Sequence, residues 1–191
     1  MFLGASTEPN IVIKRSQASI DFGDECMVAG GIIGASYTTQ VKLEDSSSTF
    51  NINCSDTGQI LSANGGLVGM TVGGVDIVRS TATATINSQI EPGGGSSDMS
   101  LVASGGLIGA QFASLGGVNI VDSTSSGSIN VNSQVNGLSS IGGLVGLASN
   151  KETVLQDSSS AVNITADSTC SYGCYVGGLM GTSGGFIGDG T

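Results

Sequence analysis

A five-residue phrase, two glycines, two apolar residues and a third glycine, constrains this chain more than any other feature. It occurs as GGIIG at Gly30 to Gly34, GGLVG at Gly65 to Gly69 and at Gly142 to Gly146, GGLIG at Gly105 to Gly109 and GGLMG at Gly177 to Gly181, a period of 35 to 40 residues. Self-similarity at that spacing marks an array of supersecondary units, none of which buries its apolar face alone. Such an array is quasi-one-dimensional, so the chain reads as one solenoid spanning 1–191, not as a number of globular domains. With 32 glycines, 4% aromatic residues and no Trp, its core must be aliphatic and small, with backbones in close approach.

A second landmark recurs in five registers: an aliphatic residue, a charged residue two positions later, a Ser three later and another apolar residue nine later. It reads Ile13, Arg15, Ser16, Phe22; Leu43, Asp45, Ser46, Ile52; Ile77, Arg79, Ser80, Ile86; Ile120, Asp122, Ser123, Ile129; and Leu155, Asp157, Ser158, Ile164. An odd interval cannot keep both apolar ends inward on one straight strand, so a corner must intervene, and the serine cluster is the turn-forming stretch at which to place it. Alternation with period two on both sides of it, as in TATATI (81 to 86) and SINVN (128 to 132), favours strand over helix. Each unit then reads as a strand through the glycine phrase, a second strand, the serine corner, a third strand and one excursion of variable length, the longest including EPGGGSSD (91 to 98). The expected fold is all-β, a right-handed three-sided β-helix of about five coils with units near 1–30, 31–65, 66–105, 106–142 and 143–177 and a partial unit 178–191.

The glycine phrase, the aliphatic strand after it, the Ser with small polar residues and the Ile-centred strand together resemble the GLUG motif, over nearly the whole chain. The aromatic residue that often follows the serine turn in that family is absent here. Proteins with such repeats are mostly secreted or at the cell surface, including adhesin-like chains, so the resemblance implies an extracellular β-solenoid without implying peptidase activity.

The chemistry of the side chains excludes more than it offers. No His is present, which removes imidazole bases, His-based triads and His-ligated metals. Asp21, Asp24 and Glu25 match no calcium-loop spacing and read as a solvated turn. The glycine phrase lacks the Lys-Ser/Thr of a phosphate loop. Thr81, Thr83 and Thr85 lack matching residues in the other units that an ice-binding grid needs. No catalytic residue, cofactor or metal site is expected, and the chain reads as a non-enzyme. Fifteen acidic against five basic residues give a net charge of -10, the wrong sign for nucleic acid. No run approaches the roughly 18 apolar residues of a membrane span, and the opening MFLGASTEPN carries neither a basic region nor an apolar run, so membrane insertion is not expected.

Four cysteines fit no paired-cysteine metal motif. Cys170 and Cys174 bracket a short loop, and unit alignment brings Cys26 within two positions of Cys54, so two disulfides in an oxidising compartment are expected. Asn53 and Asn163 begin glycosylation sequons on the outward phase of their strands. Arg15, Asp45, Arg79 and Asp122 are expected to stack outward as an alternating charge ladder. Met1 to Gly4 fall in register with the glycine phrase, and neither end carries a polar cap, so head-to-tail contact between copies is expected; the alternative is that longer flanking sequence supplies the missing coils. The function these readings favour is a structural subunit of an extracellular fibre or surface appendage; the alternative is an adhesin whose excursions, especially 87 to 100, contact a glycan or host surface.

Overall fold

Strands that recur at near-constant intervals can pair in parallel with their own counterparts one unit away, which satisfies the backbone and stacks like on like. The computed structural model describes residues 11–24, 28–38, 40–57, 61–91, 100–112, 116–149 and 152–184. Its described residues are all β, without a helix, and form four parallel sheets of five strands, a solenoid of about five coils. The first sheet stacks Ile11–Lys14, Gln40–Glu44, Gly74–Val78, Val118–Val121 and Thr153–Gln156. The second stacks the longest strands, Gln17–Asp24, Ser47–Thr57, Thr81–Glu91, Thr124–Val135 and Ser159–Cys170. The third stacks Val28–Gly30, Leu61–Gly65, Ser100–Gly105, Gly137–Gly142 and Gly173–Gly177. The fourth stacks Ile33–Ser36, Val68–Thr71, Ile108–Gln111, Val145–Ala148 and Met180–Ser183. Register follows the sequence repeat, with Leu43 beside Ile77 beside Ile120 beside Leu155, and Ile52 beside Ile86 beside Ile129 beside Ile164.

A coil therefore carries four strands where three sides are expected from the sequence. The difference lies in the glycine phrase, which is a corner and not a strand. Third-sheet strands end on its first glycine, and fourth-sheet strands begin on its fourth residue. At the bend two successive N–H groups donate to one carbonyl of the next coil, Leu67 and Val68 to Leu107 O at 2.9 Å each, and Leu107 and Ile108 to Leu144 O at 2.9 and 3.0 Å.

The packing around this corner shapes the whole cross-section. The first and fourth sheets share one core, with Leu43, Ile77 and Ile120 against Val68, Ile108 and Val145 and with the corner residues Leu67, Leu107 and Leu144 inserted between them. The second and third sheets share another, with Ile52, Ile86 and Ile129 against Val102 and Ile141. Third and fourth sheets also face one another through Ala63 and Ala103 against Met70 and Ala110. The chain thus folds back acutely at the phrase, and the apex presses on the start of the second-sheet strands. A Cβ added to Gly66 would lie 2.6 Å from Ala82 Cβ, and one added to Gly106 would lie 2.6 Å from Ser125 Cβ. Ser125 Oγ donates to Gly143 O at 2.6 Å, and Ser48 Oγ donates to Gly66 O. Each coil is pinched at this point into two lobes.

Length also varies at two places per coil, not one. Between second- and third-sheet strands the connection ranges from the single residue Asn136 to 92–99, and between fourth- and first-sheet strands from 72–73 to 112–117. Corner-to-corner spacing is consequently 30, 34, 43 and 35 residues up the stack, while pairing stays in register.

Enlarging the wall beneath the apex should be costly although it improves β propensity. Ala82→Val is expected to destabilise by about 1–3 kcal/mol in denaturant unfolding, while Thr83→Val on the outer face stays within about 0.5 kcal/mol. Equal effects at the two positions would refute the pinched section.

Candidate functional site

Five charged residues and the five serines after them form a column along one edge of the stack, between the first and second sheets. Arg15, Asp45, Arg79, Asp122 and Asp157 all adopt left-handed backbone, with φ of 51, 50, 47, 50 and 49°. This conformation reverses the inward phase of the chain between the two strands and resolves the odd interval of nine. A side chain there costs roughly 1–2 kcal/mol, so each corner needs compensating bonds.

The serines supply them. Ser16 N donates to Ser46 Oγ at 3.2 Å, Ser46 N to Ser80 Oγ at 3.1 Å, Ser80 N to Ser123 Oγ at 3.0 Å and Ser123 N to Ser158 Oγ at 3.1 Å. Each hydroxyl in turn donates to the carbonyl two residues before it, as Ser80 Oγ does to Val78 O at 2.9 Å and Ser123 Oγ to Val121 O at 2.8 Å. Backbone bonds flank this relay on both sides: Asp45 N donates to Val78 O at 3.0 Å, and Thr81 N to Ser46 O at 2.9 Å. Ser46, Ser80 and Ser123 are buried and satisfied.

Charge organises the outer side of the same column. Arg79 grips Asp45 with two bonds, Nε to Oδ1 at 2.7 Å and an Nη to Oδ2 at 3.1 Å. Glu44, which the repeat pattern does not single out, is the hub: Lys14 Nζ lies 2.7 Å away, Arg79 3.3 Å and Lys42 4.0 Å. Among the described residues neither Arg15 nor Asp122 makes an ion pair, so the expected four-residue ladder closes at one rung. Two carboxylates on the coil below draw the Arg79 guanidinium away from Asp122. The Lys14 hydrogen bond holds the Glu44 carboxyl below its ordinary value, the Arg79 hydrogen bond does the same for Asp45, and Asp45 in return raises Arg79.

The other residues singled out lie elsewhere. Cys170 and Cys174 form a disulfide, Cα to Cα 5.6 Å, that ties the end of the last second-sheet strand to the last third-sheet strand. Cys54 is buried in the core of the second and third sheets, 3.5 Å from Ser88 Oγ; Cys26, its expected partner, lies outside the described residues. Asn53 and Asn163 are exposed on the outer face of the second sheet, and Asn53 borders a shallow depression shared with Asn87 and Asn130. Thr81, Thr83 and Thr85 stack on mixed neighbours, Ser47, Thr49 and Asn51 below and Thr124, Ser126 and Ser128 above. Asp21 is exposed on that same face, and Glu25 lies outside the described residues, as do 92–99 of the long excursion. Among the described residues no group of three or more His, Cys, Asp or Glu is placed to hold a metal ion, and no helix is long and apolar enough to cross a membrane.

The two ends of the described stack differ from its middle. Leu43, Ile77 and Ile120 are fully buried, whereas Leu155 is partly exposed, and Val154, Val176 and Leu179 of the last coil are 50, 53 and 43% exposed. Comparison with family models, curated proteins and solved structures returned no match.

The ion pairs give the column a pH signature. Carboxyls whose folded-state values are lowered add stability above the unfolded values and lose it as pH falls through the folded ones. Arg79→Asn, which keeps a residue tolerant of left-handed backbone, should therefore lower the melting temperature slightly at neutral pH and flatten its fall in acid, so that the two curves converge. Parallel curves down to the acid limit would mean the pairs contribute nothing.

Proposed function

We propose that this chain is a non-enzymatic structural subunit, a solenoid rod that lengthens end to end into an extracellular fibre or surface appendage. The observation that supports the proposal is the parallel stacking of equivalent strands in register, a geometry that repeats coil on coil along one axis. In the middle of the stack every inward column is covered on both sides. A parallel edge is a template for a further strand of the same kind, so a stack of this geometry lengthens by adding coils. The GLUG-like phrase favours a secreted or surface setting, and the Cys170–Cys174 disulfide suits an oxidising one. The outer face of the long second sheet bears mainly Ser, Thr, Asn and Gln, which fits a rod wall in water.

Electron microscopy and light scattering of the purified chain should find unbranched filaments or concentration-dependent oligomers. A monodisperse monomer at high micromolar concentration would overturn the proposal and favour a binding module that works as a single rod.

A further inference from the structure

We infer that the outer wall of the second sheet carries a binding groove for a neutral, extended, β-linked glycan, laid along the stack axis. The groove is on the side of the rod and not in the excursions, and it does not depend on whether copies join end to end.

Its shape follows from the register. Outward side chains on parallel strands stack in rows, one rung every ~4.8 Å. Asn53, Asn87 and Asn130 form one such row, and Gln89, Asn132 and Asp167 form the next, so that together they cross the strands Ser47–Thr57, Thr81–Glu91, Thr124–Val135 and Ser159–Cys170. The residues between the rows turn inward, as buried Ser88 and Val131 do, which leaves backbone as the floor. The space so formed is about 560 Å³, inside the ~300–1,000 Å³ of small-molecule sites.

Carboxamides decide what fits. Each offers two N–H donors beside a carbonyl acceptor, the complement of adjacent sugar hydroxyls, which are themselves donors and acceptors. Asn130 Nδ2 donates to Asn87 Oδ1 at 2.7 Å. That bond uses one donor and one lone pair and fixes the two amides relative to each other, leaving their other groups to a ligand. Asp167 is the one charged residue lining the groove and no basic residue lines it, so nucleic acids and acidic glycans are disfavoured. An extended peptide advances ~3.3 Å per residue and falls out of step with the rungs, whereas an extended β-linked glycan advances by about one rung per sugar. No aromatic ring lines the groove for a sugar to stack on. Affinity therefore rests on hydrogen bonds exchanged with water, and it grows with the number of rungs covered.

The test is a titration of the isotope-labelled chain, prepared without N-glycans because Asn53 begins a sequon, read from its side-chain amide NMR signals. Cellohexaose and chitohexaose serve as the neutral β-linked probes, maltohexaose as an α-linked one and a galacturonate hexamer as an anionic one. At least one neutral β-linked hexamer should give saturable shifts at Asn87, Gln89, Asn130 and Asn132, with a dissociation constant on the order of 1 mM. Its disaccharide should bind at least about tenfold more weakly. Asn87→Thr and, in the second row, Asn132→Thr keep a residue that suits a strand and should each weaken binding by roughly tenfold. Thr83→Val, on the same face outside the groove, should leave it unchanged. No saturable shift with either neutral β-linked hexamer, shifts centred elsewhere, equal binding of the α-linked or anionic probe, or both Thr variants binding as tightly as the unaltered chain would each overturn the inference. Filament formation bears only on the end-to-end reading.

Discussion

Contact between backbones at the glycine apex is the constraint from which the rest of the section follows. The second glycine of the first four phrases meets a second-sheet side chain and the same glycine of the next coil, and neither contact leaves room for a Cβ. With the apex held there, the third- and fourth-sheet strands must diverge from a point. Their inner faces take Ala and Met, and their outer flanks close two separate aliphatic cores against the first and second sheets. Large rings have no place in lobes this narrow, and Phe50 is the one aromatic residue among the fully buried large side chains.

The serine corner solves the opposite problem. There the chain must change inward phase without collapsing, and left-handed backbone at a bulky charged residue is an uphill way to do it. The hydroxyl column offsets that cost by giving each buried Ser N–H an acceptor one coil away and each hydroxyl an acceptor on its own strand. Every unit in the middle of the stack depends on both neighbours for these bonds. Corner and apex together make the stack, not the coil, the unit that folds, as expected for a repeat array with nearest-neighbour coupling.

Much of this was legible in the residues. The phrase gave the period, the alternating aliphatics gave the inward columns, and the interval of nine demanded a corner where the structure has one. The fourth strand was hidden because Leu67-Val68 and its counterparts look like the middle of a strand, while their glycines act through contacts with another coil that one unit's sequence does not display. Glu44 was passed over for a related reason: its partners Lys14 and Arg79 lie one coil away on opposite sides. The sign of φ at Arg15 and Arg79 had no local signal either, since arginine is not a residue that favours left-handed backbone. Cys170 and Cys174, four residues apart, needed no fold to be paired.

A single methyl group tests the apex most directly. Gly106 carries no positive φ, so Gly106→Ala brings no backbone strain, yet its Cβ would overlap Gly143 O and lie 2.6 Å from Ser125 Cβ. Denaturant unfolding should show a loss of about 3 kcal/mol or more, at the upper end for overpacking. A change within about 0.5 kcal/mol, the ordinary surface value, would contradict the account.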